Sequence, residues 1–185
     1  MTPGNKLEIL ALLSLERCLL RISRISTGSW RVAGVKVGPG SAAGELAGYA
    51  GTEAAAVYMV MDSLPMTAVM AASPADIECL SKGYTGHGFP RGARVTPAEE
   101  IMLTELGNIL LNALINGLLN ELKITLLPAL PRFAAGDAAS LTAALGPAPE
   151  AARVIAAKLA LDCGGSSAEW DLFVLLPEDL ARRLD

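Results

Sequence analysis

The chain has few aromatic residues and few charges. Of its 185 residues only 4% are aromatic and 18% are charged, whereas 52% are hydrophobic. The core must therefore be aliphatic, and a chain of this length can bury such a core in one domain. The scarcity of charge predicts a sparsely charged surface, either because the domain is alanine-rich and tightly packed or because an apolar patch serves a partner.

Basic clusters and metal-ligand spacings are also missing. The net charge is −4, and no lysine-arginine cluster is interleaved with aromatic residues, so nucleic-acid binding is not expected. The short basic run Arg17, Arg21 and Arg24 has helical spacing and is interpreted as a solvated helix face. The single histidine, His87, lies in a glycine-rich segment without neighbouring metal ligands and is interpreted as a loop residue.

The cysteines do not form a disulfide framework in the sequence. They are odd in number, widely spaced and set among apolar neighbours, which is typical of reduced core cysteines in a cytosolic protein. The three are Cys18, Cys79 and Cys163.

A membrane span is the first explanation to test for the most apolar region, residues 101–131. A spanning helix needs about 20 mostly apolar residues with few charges. Here Glu105, Glu121, Lys123 and four asparagines interrupt the run. The pattern predicts a helix buried in protein. The N-terminal residues also lack the order of a secretory signal, so a cytoplasmic protein without membrane contact is expected.

Two halves of the chain repeat one order of elements. The first half predicts a helix over about 6–26, a strand over 30–37, a Gly/Ala-rich loop over 38–51, hairpin strands over 54–62 and 65–72, and a short helix capped by Ser73. The second half predicts a helix over 97–122, an extended segment over 123–131, a short helix over 138–145, hairpin strands over 152–162 and 168–176, and a closing helix after Pro177.

This repetition predicts an internal duplication. The expected fold is α+β (mixed α/β), with pseudo-two-fold duplicated helix–strand–hairpin units that form a sheet flanked by helices. We expect residues 1–185 to be a single domain, with halves of about 1–85 and 96–185 and a glycine-rich linker over 82–95.

The second long helix carries the candidate chemistry. Taken at 100° per residue, Glu105 and four asparagines share an arc of roughly 120°, opposite a face of leucines. Asparagine is a poor helix former, so four at intervals of four need a reason. The asparagines are Asn108, Asn112, Asn116 and Asn120. For Asn116 and Asn120, hydrogen bonds to the backbone or to one another, or simple exposure to solvent, would also explain the choice of residue.

Residues 105–131, ELGNILLNALINGLLNELKITLLPALP, resemble the signature helix of the CheC/CheX/FliY family of chemotaxis phosphatases. In that family a glutamate is followed three residues later by an asparagine and, about two dozen residues further on, by a proline. Here these residues are Glu105, Asn108 and Pro131. The hairpin-then-helix units of both halves are also similar to the family's plan. The implied fold is therefore CheC-like over nearly the whole chain.

The sequence departs from the family pattern at two places. Ile101 stands four residues before Glu105, where the family usually has Asp or Ser. Many relatives also carry a second Glu/Asn pair on the first helix, but aligning the helix ends puts Leu10 and Leu13 there. The resemblance therefore implies a single active face.

The resemblance implies a phosphatase for aspartyl phosphate on CheY-like response-regulator receiver domains. Asn108 would orient the attacking water, Glu105 would pair with the receiver's active-site lysine, and Asn112 would support Asn108 or contact the partner. The receiver would supply Mg²⁺, so the enzyme itself would need no metal or cofactor. A receptor deamidase of the CheD type is a further implied partner, and the sequence leaves a homodimer open.

Two non-catalytic alternatives remain open. The same fold resembles the middle domain of a flagellar switch protein, which binds partners without a Glu/Asn pair, and Ile101 supports this alternative. An adaptor for another chemotaxis enzyme is the other. The Glu/Asn pair favours the phosphatase, because a scaffold has no need of it. A small-molecule enzyme is disfavoured because the sequence has no phosphate loop, catalytic triad or metal cluster.

Overall fold

The computed structural model describes residues 6–61, 63–89, 94–147 and 152–184. Within these ranges, the chain forms six α-helices and six strands, and the order of these elements in the first half is repeated in the second. The first half consists of α1 (Lys6–Ile22), β1 (Ser29–Pro39), α2 (Ala42–Leu46), β2 (Ala54–Met61), β3 (Met66–Ala72) and α3 (Pro74–Thr85). The second half consists of α4 (Pro97–Leu122), β4 (Arg132–Gly136), α5 (Ala138–Leu145), β5 (Ala152–Cys163), β6 (Ser166–Pro177) and α6 (Glu178–Arg182).

The six strands form one antiparallel sheet whose order is symmetric. The order is β1-β5-β6-β3-β2-β4, with every neighbouring pair antiparallel. Exchanging the two halves, so that β1 becomes β4, β2 becomes β5 and β3 becomes β6, gives the same order read from the other edge. The expected mixed α/β fold with a sheet and flanking helices is confirmed, and the strands of both halves are interleaved in the one sheet.

Helices cover both faces of the sheet. Successive side chains of a strand point to opposite faces, so each central strand contributes residues to two cores. The larger core lies beneath α1, α3, α4 and α6, and the smaller core lies beneath α2 and α5. In β2, for example, Val57 and Met59 face the larger core, whereas Ala56 and Tyr58 face the smaller one. The four central strands, β2, β3, β5 and β6, are consequently apolar on both sides over most of their length, as expected for a sheet in the middle of three layers.

Local signals in the sequence account for most element ends. Ser73 accepts a hydrogen bond from the backbone of Asp76 at the start of α3, and Pro74 takes the first helical position. Gly28, with φ +86°, terminates the turn that follows α1. The two central hairpins, β2–β3 and β5–β6, lie where the alternating apolar segments predicted them.

Several boundaries differ from the sequence-based expectation. Helix α1 ends at Ile22, before the expected Ser26. The loop expected over 38–51 contains α2, capped by Ser41, and a 3-10 turn at Ala47–Tyr49. Helix α3 continues to Thr85, so the connection between the halves begins at Gly86 and not at Lys82. Residues 90–93 of that connection lie outside the described residues.

The segment expected to be extended after α4, residues 123–131, joins no strand ladder. Pro128 and Pro131 cannot donate a backbone hydrogen bond, which disfavours pairing here. Leu127 and Leu130 are almost fully exposed in this segment, at 94% and 85%. The strand of this half that pairs with β2 is β4, which begins at Arg132.

Helix α4 is long and apolar enough to span a membrane by length and composition, and half of its most apolar window is buried inside the protein. Its leucines pack on the sheet and on α1, in the larger core. That packing accounts for the apolar character of the helix, as the interruption by polar residues predicted.

Candidate functional site

Helix α4 begins with a complete capping box. Thr96 Oγ1 accepts a hydrogen bond from the backbone of Glu99 at 3.3 Å, and Glu99 Oε2 accepts one from the backbone of Thr96 at 2.7 Å. Pro97 takes the first helical position. This start sets the rotation of the whole helix, and the observed range, Pro97–Leu122, is the one the sequence predicted.

The rotation places Glu105 and Asn108 on the outside. Both side chains are exposed, whereas Leu106, Gly107 and Leu110 beside them are buried. The two polar groups are one turn apart on the solvent-facing side of a helix whose opposite side is packed on the sheet. They can therefore reach another protein without rearrangement of the fold.

Gly107 brings this part of α4 unusually close to the sheet. A Cβ atom at this position would lie 2.6 Å from Cγ1 and 2.7 Å from Cβ of Val57 on β2. Since real Cβ contacts are never so short, only glycine permits this approach. Gly107 thus holds the segment that carries Glu105 and Asn108 against the sheet, a role the sequence alone did not suggest.

Asn112 orients Asn108. The Nδ2 group of Asn112 donates to Oδ1 of Asn108 at 2.7 Å and to the backbone carbonyl of Asn108 at 2.8 Å. A carboxamide oxygen has two lone pairs, so Oδ1 of Asn108 retains one for a further donor, and the Nδ2 group of Asn108 retains both hydrogens. Of the roles expected for Asn112, this contact corresponds to the support of Asn108.

Tyr84, near the end of α3, is an electrostatic neighbour of Glu105 that sequence analysis did not identify. Burial raises the pKa of the Tyr84 phenol, and the negative charge of Glu105 raises it further. The Tyr84 ring packs edge-on against Trp30, with centroids 6.5 Å apart. An aromatic group therefore borders the acidic end of the site, and no spacing in the sequence links position 84 to position 105.

The exposed face of α4 extends beyond the Glu/Asn pair in both directions. Ile101, one turn before Glu105, is 65% exposed, so the expected departure from the family pattern lies at the surface. Asn116 and Asn120, further along, are exposed and not packed in the core. The polar arc read from the sequence is therefore a continuous surface in the fold.

The corresponding part of α1 presents no polar pair. Leu10 is half-buried against the larger core, and Leu13 is 45% exposed. The two helices are related by the exchange of halves, since each precedes the first strand of its half. Only the α4 position carries a carboxylate and a carboxamide one turn apart.

The residues expected to be inert have ordinary surroundings. All three cysteines are free, with Cys18 and Cys79 buried and Cys163 half-buried. His87 is exposed, and its ring stacks edge-on with Phe89 at 6.5 Å. Among the described residues, no group of three or more His, Cys, Asp or Glu side chains is placed to hold a metal ion.

No protein-family model matches the sequence, and no curated protein matches it. Solved structures do match over nearly the full length. FliY from Thermotoga maritima has a TM-score of 0.69 at 12% identity, covering 100% of this chain and 95% of FliY. A chain of the FliG–FliM complex from H. pylori has a TM-score of 0.64 at 11% identity, covering 96% of both chains.

A chain of the CheX–CheY–BeF₃–Mg²⁺ complex from Borrelia burgdorferi also matches, with a TM-score of 0.53 at 8% identity, covering 92% of this chain and 98% of the other. These matches show that the chain has the fold shared by FliY and CheX proteins, as the signature helix predicted. The same fold occurs in the middle domain of FliM.

Proposed function

We propose that this protein is a phosphatase that hydrolyses aspartyl phosphate on a CheY-like receiver domain. The observation that supports the proposal is the exposure of Glu105 and Asn108 on one face of a helix that is otherwise anchored in the core. Two exposed groups on a rigid support suit a reaction in which another protein brings the phosphoryl group.

In the proposed reaction a water attacks phosphorus as the bond from phosphorus to the aspartate oxygen breaks. Inorganic phosphate leaves, and the receiver regains its carboxylate. The receiver's own Mg²⁺ and lysine neutralise charge on the phosphoryl group, so the missing contribution is an aligned water. The free lone pair on Oδ1 of Asn108 can accept a hydrogen bond from that water, while the hydrogen bond from Asn112 holds the carboxamide in place.

Glu105 has a different part in the proposal. Its carboxylate, one turn before Asn108, would pair with the receiver's active-site lysine and place α4 over the phosphorylated pocket. One protein of this fold was crystallised with CheY, BeF₃ and Mg²⁺, which supports a receiver as the partner here. A receptor deamidase of the CheD type would be an additional partner, and a cytoplasmic location accords with the three free cysteines.

The second candidate function is a non-catalytic interaction domain of the chemotaxis or flagellar switch apparatus. Two observations favour it. The FliG–FliM structure matches more closely than the CheX–CheY structure, with TM-scores of 0.64 and 0.53. Ile101 exposes an apolar side chain where the phosphatase pattern has Asp or Ser. Against it, a scaffold has no use for the hydrogen-bonded arrangement around Asn108.

Phosphate release from a panel of phosphorylated receivers of the same organism separates the two functions. Wild-type protein should accelerate release from at least one receiver. Asn108→Ala should reduce that acceleration by about 100-fold or more, because an unaligned water loses most of the positional advantage. The control is Glu100→Ala, an exposed residue of α4 that points away from Glu105. An Asn108→Ala protein with the wild-type rate, or no acceleration of any receiver, would favour the interaction domain.

A further inference from the structure

A groove of about 440 Å³ runs between α1 and α4, beside the candidate site. The two helices are antiparallel, since Lys6 pairs with Glu121 at 2.8 Å and the Cys18 thiol donates to the carbonyl of Ile109 at 3.8 Å. Close approach of the helices at Gly117, where a Cβ would lie 2.3 Å from Ser14 Oγ, forms the floor of the groove. The groove is open to solvent along its length.

Its charge is opposite to that of the protein. Arg17 and Arg21 of α1 line it, no carboxylate does, and the whole chain has a net charge of −4. In the part of the chain that the structure describes, neither arginine forms an ion pair. Two guanidinium groups without carboxylate partners therefore face solvent from one helix, one turn apart, or about 6 Å between Cβ atoms.

Carboxamides line the opposite side. Asn116 and Asn120 of α4 are exposed, and their side chains make no hydrogen bond within the described residues. Each can donate two hydrogens and accept at its oxygen. The groove thus combines two cations with amide donors, and guanidinium groups form strong, often bidentate hydrogen bonds with carboxylates.

The groove is continuous with the candidate site. Asn112 lines it and at the same time donates its Nδ2 hydrogens to Asn108. From Asn112 to Asn120 the α4 side extends about 12 Å. A single small anion would touch only one end, whereas a polypeptide segment with carboxylates one turn apart could reach both arginines. A protein docked on Asn108 would lie beside the near end of the groove, so a segment of that protein could reach the two arginines.

We propose that the α1/α4 groove binds an acidic segment of the receiver protein, next to its phosphorylated pocket, through Arg17 and Arg21. The proposal rests on the proposed function for its partner, and it adds a second contact that determines affinity and the choice of receiver. Charged groups at the rim of an interface mainly affect association and its salt dependence. The groove therefore selects among receivers, and Asn108 acts on the one that is bound.

The test compares the double variant Arg17→Glu/Arg21→Glu with Arg24→Glu, an exposed arginine that follows α1 and does not line the groove. Binding is titrated with BeF₃-activated receivers from the same organism, at low and high salt, and hydrolysis is measured on the receiver that wild-type protein binds most tightly. The double variant should bind that receiver about 10-fold or more weakly, with a smaller salt dependence, because two attractions become repulsions. The kcat at saturating receiver should stay within about 2-fold, and Arg24→Glu should bind like wild type.

Unchanged affinity of the double variant for the receiver would contradict the proposed groove contact, and the phosphatase proposal would be unaffected. Loss of hydrolysis in Asn108→Ala with retained binding, together with weak binding of the double variant, supports both proposals. A wild-type protein that binds no receiver overturns the groove as a receiver contact. Inorganic phosphate, added at constant ionic strength, is the last arm. If it displaces the receiver from wild type but not from the double variant, the proposal is supported, because the anion and the receiver then compete for the same two arginines.

Discussion

The Nδ2 group of Asn112 donates to two oxygens of Asn108, the side-chain oxygen at 2.7 Å and the backbone carbonyl at 2.8 Å. This places two carboxamides in series on one face of α4. The first is directed outward, and the second limits its rotation. In the proposed hydrolysis, this arrangement would give Asn112 a role that involves no contact with the phosphoryl group.

Replacing Asn112 by alanine should slow hydrolysis more than it weakens receiver binding. A neutral hydrogen bond contributes about 1 kcal/mol, so kcat should fall about 3- to 10-fold as Asn108 becomes free to rotate. Aspartate has nearly the same size as asparagine but donates no hydrogen, so the kcat of Asn112→Asp should fall at least as far as that of the alanine variant. Single-turnover phosphate release at saturating receiver measures kcat, and a titration measures affinity. A normal kcat in Asn112→Asp would contradict the orienting role.

Replacing Glu105 by glutamine should weaken receiver binding. Loss of the charge removes the proposed pair with the receiver's lysine, and we expect the Kd for a BeF₃-activated receiver to rise about 10-fold. Glu100→Gln, another exposed glutamate of α4, is the matched control for net charge. Equal affinities of the two variants in a titration would contradict the proposed pair between Glu105 and the receiver's lysine.

Gly107→Ala should destabilise the fold even though alanine is the better helix former. The intrinsic gain in a helix is about 1 kcal/mol. The new Cβ would lie 2.7 Å from the branched Cβ of Val57, which no rotation can move, and overpacking of this kind costs about 1–3 kcal/mol. The free energy of unfolding in urea should therefore fall.

Gly117→Ala is the control for that measurement. A Cβ added at Gly117 would clash with the Ser14 hydroxyl, but that hydroxyl can rotate away. The nearest remaining atom would then be Ser14 Cβ, 3.2 Å from the added Cβ. The gain in helix propensity should then offset most of the remaining cost. Equal destabilisation by the two substitutions would show that the contact with Val57 is not the determining one.

Tyr49→Phe should lower stability near neutral pH. The Tyr49 hydroxyl lies 2.7 Å from Oδ2 of Asp171 and 2.8 Å from the carbonyl of Ala71, beneath α2 and α5. A hydrogen bond to a charged acceptor is worth about 2 kcal/mol, which is the expected loss in the free energy of unfolding. Urea titration of both proteins measures it.

The same pair of proteins should show a pH dependence of known sign. Burial raises the pKa of Tyr49 above its ordinary 10.0, and the adjacent Asp171 charge raises it further. The stability from the protonated phenol is therefore complete below pH 10.0 and is lost as pH rises above it, because the unfolded chain ionises while the folded one does not. The difference in the free energy of unfolding between wild type and Tyr49→Phe should therefore decrease above pH 10.0. A constant difference would contradict the buried contact.

Local signals predicted α4 well. Thr96, Pro97 and Glu99 lie within four residues of one another, and the cap they form sets the register that places Glu105 and Asn108 on one face. The two hairpins were predicted for the same reason, since alternation and turns are short-range properties. The fate of residues 123–131 was not predictable in this way, because an extended segment becomes a strand only where a neighbouring strand is available.

The contacts that define the site are of long range. Gly107 meets Val57 across the interface between α4 and β2, and Tyr84 lies near Glu105 although 21 positions (105 − 84) separate them. Arg17 and Arg21 were interpreted as a solvated face, and both are indeed exposed. What the sequence did not reveal is that the asparagines of α4 lie opposite them.

The sequence by itself determined the long helices, the two central hairpins, the duplication and the polar face of α4, because capping, periodicity and turn chemistry act between residues close in the chain. Only the tertiary structure decided the strand order β1-β5-β6-β3-β2-β4 and the antiparallel packing of α1 on α4. These depend on which apolar faces bury one another, and burial is a property of the whole chain. The groove beside Asn108 exists for that reason.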